Sequence, residues 1–209
     1  MNYGQVKAQF QAVLNRRDIT PTLTEAFIKN AIQRAQRSLR VPAMEKSVVV
    51  SFLKDDENID LPGDLLQLIN VVWDQEVQYE ATKLERVDLH NVLNLRNQVG
   101  TPYAYARQDG ALLIGPKPWA DGNIRMDYYA DFSDLSADTD SNWLTDIAPD
   151  LIVYGALSFA SDYYLDNRRD QFEERFNSAM AELTNQMQLD ELSAGAAIAP
   201  AYGMNFQTY

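Results

Sequence analysis

The chain has 209 residues, 46% of them apolar, no cysteine and a formal net charge of −12. That length and apolar share suffice for one sizeable core, and the missing thiols exclude a disulfide framework. No run of about eighteen apolar residues and no basic-then-apolar leader is present, so neither a membrane span nor a secretory signal is expected. The charge is segregated: residues 1–54 carry nine Lys/Arg against three Asp/Glu, and the remainder carries nine against twenty-seven. From Met126 to Asn167 there are nine Asp and no Lys or Arg, a density that repels a phosphate backbone and argues against nucleic-acid binding by that surface.

Taken in order, residues 3–15 read as a short helix with Val6, Phe10, Val13 and Leu14 on one side. Ile19-Thr20-Pro21 reads as a connector, because the residue before proline is pushed away from helical angles. Thr22 with Glu25 fits a capping box for a second helix reaching about Arg40, with Phe27, Ile28, Ala31, Ile32, Ala35 and Leu39 inward. At 100° per residue, Lys29, Arg34, Arg37 and Arg40 fall on the opposite side. This basic face is either solvated surface or a docking face for acidic protein or passing DNA.

Ser47 to Leu53 is β-branched and reads as a strand. In Ile59 to Leu66, Pro62-Gly63 suits the centre of a type II turn, with Asp64 placed to cap a short helical turn. A strand at Leu68 to Trp73 and a return strand at Val77 to Ala81 would form a hairpin. Residues 83–95 form a weaker helix, with Leu84, Val87, Val92 and Leu93 inside. His90, the only histidine, has no partner at ligand spacing and reads as structural. Tyr103–Arg107, Asp109-Gly110 and Ala111–Ile114 make the clearest hairpin, since Asp-Gly supplies the positive φ angles of a type I′ turn. Asn123 to Ala130 then alternates Ile124, Met126 and Tyr128 on one face, completing a small antiparallel sheet.

A two-helix unit follows from Asn142 to about Met187. Asn142 or Thr145 caps its entry, Pro149 and Asp150 suit a first turn, and Phe172, Phe176, Met180, Leu183 and Met187 recur at helical spacing. From about Leu189 the chain becomes small, uncharged after Glu191 and non-periodic, with Tyr202, Met204, Phe206 and Tyr209 spaced along it. The pattern predicts a segment that orders on a partner.

Signals for chemistry are missing. There is no phosphate loop, dinucleotide turn, zinc helix or nucleophile elbow. Asp138-Thr139-Asp140-Ser141-Asn142 begins like a calcium loop but has Trp143 where glycine is needed and Pro149 where a bidentate glutamate is needed. No catalytic residue, cofactor or metal is expected.

Two stretches carry a resemblance. Tyr128-Tyr129-Ala130 at a strand end, Leu135-Ser136, Asn142-Trp143-Leu144 and the run Ala148 to Leu157, together with Leu61-Pro62-Gly63-Asp64, resemble the head-to-tail adaptors of tailed bacteriophages, of the podophage type. The resemblance spans roughly Met1 to Gln188. It implies a structural virion protein at the head-tail junction, made in the host cytoplasm, that forms a twelve-fold ring on the portal protein. It also implies contact with a downstream tail protein (nozzle or hub) and a channel through which DNA passes without sequence-specific binding. C-terminal segments of the family reach the portal, which makes Tyr202, Met204, Phe206 and Tyr209 the expected anchors. The architecture expected is α+β: N-terminal helices, a central antiparallel sheet and a C-terminal helical hairpin in one domain over 1–188, then a docking tail over 189–209. The rival classes are a virion-associated cell-wall hydrolase and an acidic DNA-mimic inhibitor.

Overall fold

The computed structural model describes residues 1–75 and 81–195, with side chains described up to Met187. In chain order the elements are α1 (Tyr3–Leu14), α2 (Pro21–Ser38), β1 (Glu45–Phe52), β2 (Ile59–Asp60), β3 (Leu65–Asp74), β4 (Thr82–Lys83) and β5 (Glu85–Arg86). They continue with α3 (Leu89–Leu95), β6 (Ala104–Gln108), β7 (Ala111–Gly115), β8 (Gly122–Ala130), α4 (Trp143–Ile147), α5 (Pro149–Tyr163) and α6 (Arg169–Gly195). The class is α+β. Contacts divide the chain into two compact units, one formed by Met1–Leu39 with Leu135–Tyr209 and the other by Arg40–Asp134.

The first unit is helical. Asn2 and Gln5 close a capping box on α1, and Asn15 ends it in a left-handed conformation at φ 52°. The cap of α2 is Thr20, whose side chain accepts from Leu23 N–H, and not the Thr22–Glu25 box the sequence proposes. Pro21 is the reason: its absent N–H and fixed φ suit the first helical position, so the helix starts two residues sooner than a connector reading allows. The same residue type splits the expected entry at Asn142. Ala148, ahead of Pro149, is driven to φ −135° and ψ 58°, so α4 ends there and α5 begins afresh. Asn142 and Thr145 form the capping box of α4.

Helix α5 packs on α1, α2, α4 and α6, and nine of its fifteen residues are buried. Gly155 marks its closest approach: a Cβ there would lie 2.9 Å from Ala31 Cβ and 3.0 Å from the Phe176 ring. The expected stripe of α6 is inward at Phe172, Phe176 and Leu183, while Ile147 on α4 is exposed. Helix α6 itself continues to Gly195, eight residues beyond the expected end at Met187.

The second unit holds two four-stranded sheets, ordered β1-β8-β3-β4 and β2-β7-β6-β5, where the sequence suggests one. The Asp109-Gly110 hairpin forms as expected, with φ of 50° and 79°. Its continuation does not: Gly115-Pro116-Lys117-Pro118 interrupts the ladder, and β8 pairs instead with β1 and β3. The β5–β6 pair is parallel. The predicted inward row Ile124, Met126 and Tyr128 is buried in a core shared by both sheets, with Phe52, Val71, Trp73, Leu112 and Ile114. Residues 83–95 divide into short strand and helix, with α3 starting only at Leu89 behind its cap Asp88. Leu93, expected inside, is exposed. The expected return strand at Val77 to Ala81 falls mostly outside the described residues; Thr82–Lys83 supplies the pairing to β3.

Candidate functional site

Asp64 organises the first of the two stretches singled out by resemblance. Leu65 N–H donates to Pro62 O at 3.1 Å, which puts Pro62 first in the turn and not at its centre, and Gly63 lacks the positive φ a type II turn requires. Asp64 caps no helix. Its carboxylate accepts from Lys46 Nζ at 2.6 Å and from Tyr128 Oη at 2.9 Å. The Lys46 ammonium, ahead of the phenol bond, holds the Asp64 carboxyl below its ordinary range, while burial, ahead of Asp64 itself, pushes the Tyr128 phenol up. The landmark is therefore a lock between strands, joining β1, the turn before β3, and β8.

The residue just after the second stretch, Ser158, enters another packing device. Ser158 on α5 and Arg34 on α2 both donate to Glu173 on α6: Ser158 Oγ reaches it at 2.7 Å, and the guanidinium binds in a fork through Nη1 at 2.8 Å and Nη2. That fork, with Ser158 adding to it, lowers the Glu173 carboxyl to about 2. Arg34 also lies 4.2 Å over the Phe176 ring. Three helices thus meet at one ion pair.

The basic face read from the sequence is consequently divided. Arg34 is spent inside the helical unit. Arg40 lies past the end of α2 and belongs to the sheet unit, where its Nε donates to Gln67 Oε1 at 3.0 Å. Lys29 and Arg37 are exposed on α2. Arg37 lines a shallow groove of about 310 Å³ with Arg34, Arg169, Asp162 and Glu173. Two of its three cations are held by its two carboxylates, Arg34 by Glu173 and Arg169 at 3.4 Å from Asp162.

The Asp-rich loop ahead of α4 is tied down by protein groups. Asp140 Oδ2 accepts from Ser136 N, Ser136 Oγ and Ala137 N, and those bonds hold its carboxyl low. Lys7 reaches Asp138 at 2.5 Å. Among the described residues no group of three His, Asp or Glu is arranged to hold a metal, and none of their helices is long and apolar enough to cross a membrane. His90 is exposed and its backbone N–H binds the Asp88 cap. In the sheet unit a cavity of about 500 Å³ has a mixed lining that includes Arg96, Lys117, Asp60 and Asp109. Arg96 there donates to the Glu57 and Ile114 carbonyls, and burial lowers its pKa.

The expected anchors Tyr202, Met204, Phe206 and Tyr209 lie outside the described residues. Sequence reasoning did not pair Arg34 with Glu173 or Lys46 with Asp64. Partners 139 residues apart share no local spacing, and only an unusually placed cation on a helix could have drawn attention. What the geometry offers is a pair of compact scaffolds with exposed surfaces and no convergent catalytic constellation among the described residues. The model of one protein family, described as SU10 adaptor protein, matches residues 1–200. No curated protein matches the chain.

Proposed function

The chain belongs to the SU10 adaptor protein family, a family of bacteriophage adaptor proteins, and from that premise we propose that it stacks on the portal as a ring and links the DNA-filled head to the tail. The observation that carries this reading is the extent of the match, residues 1–200, which takes in all the described elements. In this reading the ring has twelve copies, its podophage-type channel continues the portal channel, and a nozzle or hub protein binds its far side. The acid excess gives DNA a surface along which it slides without sticking, because phosphates and carboxylates repel. The role is structural, with no catalytic step.

The tail beyond Gly195 is the portal anchor in this proposal, with Tyr202, Met204, Phe206 and Tyr209 as the contacting side chains. Co-sedimentation with the portal ring tests it. The full chain should join the portal and a chain ending at Gly195 should not. Binding by both would leave the adaptor reading in place and remove the tail's role; binding by neither would remove both.

A further inference from the structure

Strand β1 is an outer strand of its sheet and is bonded along its whole length to β8. On its other side, among the described residues, the backbone of Lys46–Phe52 has no hydrogen-bond partner. Natural sheets blunt such an edge with charged side chains, a bulge, a proline, an inward charge, short length or a covering segment. The other outer strands, β2, β4 and β5, are two residues each. In β1 the charges, Glu45 and Lys46, are confined to one end; the strand runs eight residues in unbroken register, lacks proline and from Ser47 onward is uncharged, with three successive valines and Val49 62% exposed. An edge of this kind is a template for another strand.

The sequence along the edge says which strand fits. Ser47-Val48-Val49-Val50-Ser51 is the same in both directions about Val49. A two-fold axis presents a patch to itself, so self-complementarity is what such an interface demands. We propose that β1 pairs antiparallel with β1 of a second copy about an axis at Val49, joining two four-stranded sheets into one of eight. Ser47 then faces the partner's Ser51, Val48 faces the partner's Val50, and Val49 faces its own counterpart. Cross-strand pairs of β-branched residues and of hydroxyls are favourable ones.

Charge agrees. Glu45 and Lys46 fall opposite the partner's Leu53 and the partner's Phe52, so no like charges are directly opposed, and Lys46 already has Asp64 at 2.6 Å. Val48 and Val50, half-buried against the sheet core, gain cover from the partner's valines. Eight residues are fewer than the roughly 20–30 per side of a standard interface, so the dimer is weak and exchangeable. A two-fold pairing closes on itself and does not propagate into a ring. It is therefore a state that the chain reaches by itself, and it does not rest on the adaptor reading.

The absence of cysteine in the chain makes a direct test available. In full-length protein under mild oxidation, Val49→Cys should give a disulfide-linked dimer, because the sulfur sits at the axis. Ser47→Cys and Ser51→Cys should each fail to link with themselves but link when mixed. Sedimentation velocity across the micromolar range should show the unmodified chain passing from monomer to dimer, and Val49→Lys, which opposes like charges, should remain monomeric with an unchanged circular dichroism spectrum. An unmodified chain that stays monomeric overturns the proposal. So does a Val49→Lys variant that dimerises normally, or a Ser47→Cys variant that links with itself as readily as Val49→Cys.

Discussion

In the helical unit one element, α5, packs on four other helices, whereas in the sheet unit the core lies between two sheets. Each unit holds nine Lys/Arg, against fourteen acids in the helical unit and sixteen in the sheet unit. They spend them differently. The helical unit places Arg34 at a junction of three helices, and Arg168 donates to the Val13 and Leu14 carbonyls at the end of α1 while binding Asp166. The sheet unit keeps its ion pairs, Lys46–Asp64 and Arg125–Asp127, at the margin and fills the interior with apolar side chains. The difference teaches where each is vulnerable: the sheet unit to loss of volume, the helical unit to added volume and to acid.

The largest effect is expected at Trp73, 1% exposed and edge-on to Phe52 at 6.0 Å between centroids. Trp73→Ala should cost about 3–5 kcal/mol, read as a lower urea midpoint. Gly155→Val inverts the logic, forcing methyl groups against Ala31 and Phe176. Its expected cost is about 2–3 kcal/mol, and a stabilised protein would show that the α2–α5–α6 packing has slack.

Acid sharpens the contrast next. Glu173 titrates at about 2 when folded and at the ordinary 4.5 when unfolded. Its contribution is thus fully present above pH 4.5 and lost as pH falls toward 2. With the side chain 35% exposed, the contribution is on the order of 1–2 kcal/mol after solvent screening. Glu173→Gln should lower stability at pH 7 and flatten its dependence below pH 4.5. Asp64→Asn should cost about 1 kcal/mol in the sheet unit, because an amide keeps the Tyr128 bond and loses the ion pair. Lys7→Met, at an ion pair whose Asp138 is 72% exposed, should cost less than about 1 kcal/mol and be masked by salt.

Much of this fold is legible where a residue acts on its own backbone. Asp109-Gly110 sets a hairpin, and Pro149 with Asp150 starts a helix, by local sterics and dipoles that need no distant partner. Pro21 is the instructive miss. Proline both disfavours a helical residue before it and favours the first helical position itself, and the connector reading reflects only the first effect. The split into two sheets was hidden for a different reason: strand patterns reveal which face is apolar, not which edges pair, so β8 gave its inward row without its neighbours. Of the candidate surfaces, the basic face showed as a pattern, but a carboxylate on a remote helix had claimed Arg34.

The sheet unit is one continuous segment, Arg40–Asp134, while the helical unit is assembled from both sides of it. On the ribosome this imposes an order. Every strand of the sheet unit has been made before α5 exists, so that unit can fold as soon as Asp134 has emerged. The apolar faces of α1 and α2 meanwhile wait for residues more than a hundred positions away, and α1 and α2 must pass that interval held by chaperones or by each other. Translation pauses or truncations within α5 should therefore leave a folded sheet unit carrying two sticky helices.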